Sequence, residues 1–459
     1  MSEVKLFGSK RGGARLSKHK KKQKTKKPLK VLAIWLCVIL CLEGLYFFAV
    51  YTNNSFVSYW RSAYINTALS TMRHQWLATK LLPKDVVQAV IDQNAKVTKI
   101  MDTDAATTKW DRTDNTANTP QTPDVPDDNH HDLDVNIKPA EPEPLTEEEL
   151  QAQARAAFFE TFWEVDEASM DAYVSEHPEV LANGWENINI NEAGLDDSGT
   201  SITSIYGEQV LAINVPDKVL LLRVTGSGWR GVLAVGKEPA QLSLENSVGL
   251  GTYGQTCSEI AERTGGVLSM TASGFIDIDA QGNWGNGNGG ILAGYEMSNG
   301  YAYGTHYYNY GNNKYKRLEL RENDLFYIVD VDAPVDETCT DAMEFQPAMI
   351  VDGNVLVSDW WVEKNPRACI GQSDKYEILM LVIEGRGASG SWGTDVNVCA
   401  ELLKQHGCMQ AMNMDGGTSA IMWYDGEEVT RCSNQNLSHG RGLPNSWVYK
   451  SITETAATE

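Results

Sequence analysis

Residues 148–450 predict an α+β fold: a mixed β-sheet domain with flanking helices. Three observations carry this expectation. Short β-rich runs recur between glycine-rich turns, as in VLLLRV (219–224), LFYIVDV (325–331) and ILMLVIEG (378–385). Helical patterns are sparse beside them. No internal repeat interrupts the series. One transmembrane helix, a stalk helix and a disordered linker are expected to precede this domain.

The elements follow in chain order. Residues 1–30 form a basic tail with twelve Lys/Arg and one acidic residue, Glu3. The tail thus carries +11 of a chain whose net charge is −22, leaving −33 on the other 429 residues. Such a split marks membrane topology or an interaction tail. Residues 31–52, VLAIWLCVILCLEGLYFFAVYT, match the length needed to cross a hydrocarbon core of roughly 30 Å. Their only charge is Glu43. Basic residues crowd the N-terminal side, which places the N-terminus in the cytoplasm and the bulk of the chain outside the cell. A cleaved signal peptide is the competing reading, but the apolar run is long and no A-x-A site follows it.

Residues 53–102 read as a stalk helix. Trp60, Tyr64, Ala68, Met72 and Trp76 repeat every four residues and mark one helix face. That face can pack on itself or on a second copy of the chain. Residues 103–147 are rich in Asp, Thr, Pro, Asn and Glu, a composition that cannot bury a core and predicts a disordered linker. Residues 145–183 then predict helix, with Thr146 as N-cap before Glu147–Glu149. A second helix is expected from Thr394 to His406, closed by Gly407.

Eight cysteines are present. Cys37 and Cys41 lie in the apolar segment; Cys257, Cys339, Cys369, Cys399, Cys408 and Cys432 lie beyond it. There is no C-x-x-C, which argues against a structural zinc site. The six outer cysteines allow disulfides or buried free thiols. The transmembrane segment directly after the basic tail argues against nucleic acid as its partner. Nothing points to a nucleotide or other cofactor, and no dense His/Asp cluster demands a metal.

The chemistry-bearing motifs fall in the last 190 residues. Asn413-Met414-Asp415-Gly416-Gly417-Thr418-Ser419 places an acid, two glycines and two hydroxyls after an apolar run. Paired glycines let the backbone approach a ligand and offer amides to an anion; a plain β-turn with a solvated Asp is the alternative. Pro366-Arg367 precedes one β-run, and Glu384-Gly385-Arg386 ends another. Thr271-Ala272-Ser273-Gly274-Phe275-Ile276-Asp277 lies upstream, and Ser438-His439-Gly440-Arg441-Gly442-Leu443-Pro444 downstream. These glycine-bracketed charges stand at strand ends, where a rigid sheet displays functional groups. The stretch from Trp284 to Tyr315 is rich in Gly, Asn and Tyr (Tyr295, Tyr301, Tyr303, Tyr307, Tyr308, Tyr310). It suits a β-hairpin, with one or two of the tyrosines free to line a cleft.

In order, TASGFIDIDAQGNWGNGNGG, EFQPAMIVDGN, PRACIGQSDKYEILMLVIEGR, ELLKQHGCMQAMNMDGGTSAIMWYDGE and GRGLPNSWVYK resemble the phosphodiester glycosidase family over residues 245–450. That family includes the N-acetylglucosamine-1-phosphodiester α-N-acetylglucosaminidase that uncovers mannose 6-phosphate. The nearer resemblance is to bacterial membrane-anchored members labelled exopolysaccharide biosynthesis proteins. Four positions depart from the family pattern. Its Asn before A-S-G-F is Thr271, its D-G-R is Glu384-Gly385-Arg386, the Gly of F-G-P is Gln346, and D-G-G-G/S-S is Asp415 to Ser419 with Thr418.

The resemblance implies hydrolysis of a sugar C1–O–phosphate bond in cell-envelope or exopolysaccharide material. Asp415, Glu384 and Asp277 are the candidate catalytic carboxylates, as nucleophile or general base. Arg367, Arg386 and Arg441 are the candidate phosphate holders, because a guanidinium binds phosphate oxygens in pairs. Gly416, Gly417, Thr418, Ser419, Ser273, Gly274 and Phe275 complete the expected substrate contacts. Phosphate leaves readily, so a His acid such as His439 is not required. The alternative from another class is a non-catalytic polysaccharide-binding or scaffold protein on the same fold. A third is an assembly subunit whose task resides in residues 1–100.

Overall fold

The computed structural model describes residues 27–52, 54–70, 76–91, 108, 145–195, 199–307, 315–356 and 363–452. Two compact units, Met1–Arg61 and Ser62–Glu459, are taken separately.

In the first unit a helix spans Lys27–Tyr51. Its segment Val31–Tyr51 has 21 residues, is long and apolar enough to cross a membrane, and is exposed except at Val50. At about 1.5 Å per residue it extends roughly 31 Å. The Arg61 guanidinium donates to the carbonyls of Val50 and Thr52, at 2.8 and 3.0 Å. A cation there satisfies carbonyls that the helix end leaves open.

Helix Ser55–Ser70 is followed by Trp76–Thr79 and a helical stretch at 84–91. Pro83 stands directly before the last of these, where a missing N–H costs nothing. Ile65, Ala68, Ala78, Val87 and Val90 form a small core. The expected face is only partly right: Ala68 is buried, but Trp60, Tyr64 and Trp76 are exposed. Ile65 and Ala68 pack with Ala78, Val87 and Val90, so the buried stripe differs from the four-residue aromatic stripe. Met72 lies outside the described residues.

Most of the expected linker also lies outside them. Thr108 is the exception: its amide donates to the Ile328 carbonyl (3.0 Å), and its Oγ1 accepts from the Ile328 amide (2.8 Å). It thereby satisfies backbone groups of edge strand Phe326–Asp330.

The domain opens with helix Glu147–Thr161, whose Thr146 and Glu149 form the capping box that the sequence suggests. The scaffold is α+β, with three sheets in which every described pairing is antiparallel. The largest has nine strands, in the order 189–191, 209–214, 219–226, 229–236, 378–383, 367–373, 408–413, 348–351 and 354–355. A five-stranded sheet runs 326–330, 316–321, 339–345, 295–298, 301–304, and another 427–428, 422–424, 266–271, 445–450, 242–246.

The nine-stranded sheet is buried on both faces, which explains its nearly unbroken apolar runs. Met380 and Val382 point into a core shared with the two smaller sheets, where Leu268, Met270, Trp447 and Phe326 meet them. Leu379, Leu381 and Ile383 point the other way, to Phe158, Phe162, Met170, Cys399 and Leu403 of the covering helices. The period-2 alternation of a strand is thus filled on both sides. Lys237, Glu164 and Glu377 form a buried ion cluster behind this sheet, with Nζ 2.5 Å from Glu164 and 2.8 Å from Glu377. The helix predicted from Thr394 runs Val396–Gln405, because Asp395 takes the N-cap and accepts from the Val398 amide. The six outer cysteines are buried free thiols.

Candidate active site

Three neighbouring strands of the large sheet end at one edge. Arg367 pairs with Ile383, and Cys369 with Asn413. The chain therefore delivers Pro366-Arg367, Glu384-Gly385-Arg386 and Asn413-Met414-Asp415 side by side. The third sheet brings its own ends there. Thr271 pairs with Ser446, and the Asp415 amide donates to the Ala272 carbonyl at 3.1 Å. Segments 272–277 and 441–445 thus close the opposite wall. Between the walls lies a cleft of about 1540 Å³, lined by Phe275, Asp277, Arg386, Asp415, Thr418 and Arg441 among others.

Asp415 lies at the floor of this cleft. Burial pushes its carboxyl up to about 6, opposed by hydrogen bonding to Ser419, the Arg441 charge and the Gly416 amide, and reinforced by Asp277. Asp277 is clamped instead. It accepts from both terminal nitrogens of Arg441, at 3.1 and 2.7 Å, and from the Gly287 amide at 2.7 Å. The Arg441 guanidinium also donates to the Gly287 carbonyl and lies 4.4 Å over the Phe275 ring. The forked pairing fixes both side chains. Two carboxylates therefore share one cleft, Asp415 raised by burial and Asp277 paired with Arg441.

The three arginines separate by their partners. Arg441 is engaged with Asp277. Arg367 lines the cleft, but its guanidinium donates to the carbonyls of Thr394 and Glu363, at 3.2 and 2.9 Å, and pairs with Glu363 at 3.3 Å. Arg386 has no carboxylate within ion-pairing distance among the described residues, and it donates to Thr418 Oγ1 at 3.2 Å. Its backbone is left-handed, at φ 55°, a conformation that disfavours any side chain with a Cβ and concentrates at functional sites. Gly417 makes room for it: a Cβ there would come 3.0 Å from Arg386 Nη2.

Several expected contacts fall elsewhere. Glu384 does not line the cleft. It is buried, accepts from the Arg431 amide at 2.7 Å and faces Arg230 Nε at 3.4 Å. It stands one residue past the strand Ile378–Ile383, and its carboxylate is taken up by Arg431 and Arg230 rather than by the cleft. The Gly417 amide donates to the Pro366 carbonyl at 3.0 Å, so it is not offered to a ligand. Ser273 is buried behind the cleft, its Oγ accepting from Asn445 Nδ2 at 2.9 Å. Gly274 is buried against Phe345, 2.9 Å from where its Cβ would stand. His439 pairs with Glu428 at 3.0 Å, away from the cleft lining.

Of the tyrosine-rich stretch, Tyr315 lines the cleft and stacks on Tyr307, with centroids 3.7 Å apart. The structure also shows residues that sequence reasoning passed over. Glu344, fully buried, accepts from the Tyr307 amide at 2.8 Å and pairs with His306 at 2.5 Å, which fixes this wall. Tyr301 and Tyr303 are exposed on hairpin 295–304; Tyr308 and Tyr310 lie outside the described residues. Glu296 is buried behind segment 272–277 and receives the Asn445 amide, while Asn445 Oδ1 accepts from the Ser273 amide at 2.9 Å. Burial pushes Glu296 up to about 8. Only its place between MS and GY strand signals could have suggested that it points inward. Gln346 precedes a cis proline and accepts Asn413 Nδ2 at its carbonyl. Thr271 is buried within its strand. Among the described residues no group of three His, Cys, Asp or Glu is placed to hold a metal.

Two carboxylates and a guanidinium with no ion-paired carboxylate among the described residues thus meet at the strand ends of an antiparallel scaffold. Residues 265–450 match the phosphodiester glycosidase family model, and this segment is a phosphodiester glycosidase domain. Among solved structures, the chain is similar to the catalytic domain of zebrafish N-acetylglucosamine-1-phosphodiester alpha-N-acetylglucosaminidase auto-inhibited by pro-peptide. The identity is 13%, the TM-score 0.41, and the match covers 50% of this chain and 82% of that one. It is similar also to a hypothetical protein from Synechocystis, at 13% identity and TM-score 0.35, covering 54% and 65% of the two chains. No curated protein matches the chain.

Proposed function

We propose that the chain hydrolyses a sugar C1–O–phosphate bond in cell-envelope or exopolysaccharide material. In this reading helix 31–52 is a membrane anchor and the catalytic domain stands outside the cell. The observation that carries the chemistry is that Arg386, which has no ion-paired carboxylate among the described residues, shares one cleft with an Asp415 poised near neutrality. The phosphodiester anion sits against Arg386 and the Thr418 hydroxyl. Water attacks C1 as the C1–O bond breaks, and the bonding pair leaves with the phosphate monoester. Asp415 takes the proton of the attacking water. Its raised pKa suits it to accept a proton at neutral pH yet release it again. Asp277 keeps a negative charge near the sugar ring as positive charge builds there. A basic Arg386 inside a strongly acidic chain supplies the local cation that an anionic polymer requires.

The test uses the detergent-solubilised full chain with N-acetylglucosamine-α-1-phosphodiesters, and follows released sugar. Arg386→Ala is expected to raise KM and lower kcat/KM by about 10²-fold, the loss of a charge-assisted contact worth roughly 1.5–3 kcal/mol. Absence of release across a panel of glycosyl phosphodiesters, with envelope polysaccharide still bound, would replace this reading by the binding-protein alternative.

A further inference from the structure

The chain leaves its apolar helix through a turn held by side chains. Besides its bonds to the Val50 and Thr52 carbonyls, Arg61 donates to Ser58 Oγ at 3.2 Å. Ser58 Oγ donates in turn to the Thr52 carbonyl at 3.4 Å, and Thr52 Oγ1 accepts from the Asn54 amide at 3.3 Å. In a straight helical continuation Arg61 would stand roughly 16 Å beyond Val50, out of reach of its side chain. The helix that starts at Ser55 therefore turns away from the axis of helix Lys27–Tyr51, with Ser58 and Arg61 directed at that helix's end.

The other side of this turn is aromatic. At about 100° per residue, Phe56, Tyr59 and Trp60 fall on one stripe of the helix, and Ser58 and Arg61 fall opposite. All three rings are exposed, Phe56 at 70%. They meet edge to face, the Trp60 ring lying 6.4 Å from Phe56 and 5.5 Å from Tyr59. Because Arg61 bonds the last carbonyls of the apolar segment, Tyr59 and Trp60 stand at the level where that segment ends. Tyr46 and Tyr51 are exposed on its final turns, and Tyr51 stacks on Phe47 at 5.8 Å. Tyr and Trp gather where hydrocarbon meets headgroups, since each has an apolar body and a polar tip. A helix with such rings on one face lies along that layer with the rings turned into it.

We infer that Phe56, Tyr59 and Trp60 form an interfacial surface, seated in the headgroup layer of the membrane that segment 31–52 crosses. It rests on that segment being the anchor proposed above. Its partner is the lipid surface itself, and the contact fixes the direction in which the chain leaves the bilayer.

The test uses the full chain in vesicles of phosphatidylethanolamine and phosphatidylglycerol. Cys37→Ser with Cys41→Ser leaves only buried thiols, and Phe56→Cys or Tyr59→Cys then takes an environment-sensitive fluorophore. Either label should lose most of its emission to a lipid with a headgroup nitroxide and be protected from aqueous iodide. Trp60→Phe, which adds no label, should remove a component of the tryptophan emission that lipids brominated at shallow acyl positions quench. In a Cys37→Ser chain, a label on Cys41 tests the anchor separately, through quenching by a deep acyl nitroxide. With Cys41 quenched, labels at 56 and 59 that iodide reaches and the headgroup nitroxide does not would refute the surface while the anchor stands. Labels that neither quencher reaches would set the rings against a second copy of the chain, and refute it equally. An unquenched Cys41 label would overturn the anchor, and the labels at 56 and 59 would still decide the surface.

Discussion

Replacing Asp415 by asparagine should move activity and stability in opposite directions. Burial raises the carboxyl from its ordinary 3.8 to about 6. Below pH 3.8 it is protonated in both folded and unfolded chains. Between 3.8 and 6 the folded chain keeps a proton that the unfolded chain has released, so stability falls as pH rises. Above pH 6 the whole penalty stands, about 3 kcal/mol at about 1.4 kcal/mol per pH unit. Asparagine has the same shape and no charge to desolvate. It loses part of the hydrogen bonding to Ser419 and the Gly416 amide, which offsets some of the gain. The net expectation at pH 7.5 is a stabilisation of about 1–2 kcal/mol, a rise in Tm of roughly 2–6 °C. At pH 3.5 the difference should vanish. Activity should fall by about 10²–10⁴-fold, the usual share of general-base help, and wild-type kcat/KM should rise with pH through about 6. Thermal unfolding at both pH values, beside release of N-acetylglucosamine, checks all of this. A lower Tm for the variant at pH 7.5, or turnover within tenfold of wild type, would refute the reasoning.

Glu384 and Glu296 give further predictions. Glu384→Ala removes the acceptor of the Arg431 amide and should destabilise by about 1–3 kcal/mol. Glu384→Gln should keep most activity, whereas a catalytic carboxylate would not tolerate it; sugar release by the two variants decides. Glu296, raised from 4.5 to about 8, makes the wild type lose stability progressively between those pH values. Glu296→Gln should therefore melt higher than wild type at pH 9 and alike at pH 4, and a lower Tm at pH 9 would contradict a neutral buried role.

Much of the scaffold was legible because its signals are local. VLLLRV and ILMLVIEG are apolar enough to need burial on both faces, and each became a strand of the central sheet. The Thr146 capping box lies within four residues. Asp415, Arg386, Asp277 and Arg441 were found as glycine-bracketed charges at strand ends, and the fold brings all four into one cleft. Sequence could not sort them by partner. Whether Arg441 or Arg386 is free depends on Asp277 lying opposite one and not the other, across 164 positions. Glu384 misled because the groups that take up its carboxylate, Arg431 and Arg230, lie far from it in sequence. Glu296 gave no signal, since a carboxylate in a half-polar strand reads as solvated until its neighbours are known.

The crossing of distant segments at the cleft has a consequence for how the chain matures. Strand Asn445–Lys450 is not an edge but lies inside its sheet, between 266–271 and 242–246, and Arg441 just before it clamps Asp277. Contacts of such long sequence separation close late and slowly. A nascent chain that stops before Gly440 therefore lacks both this strand and the clamp on Asp277, however complete its large sheet. Under the proposed reaction, sugar release should report complete folding, and a cut before Gly440 should silence the domain as fully as Asp415→Asn.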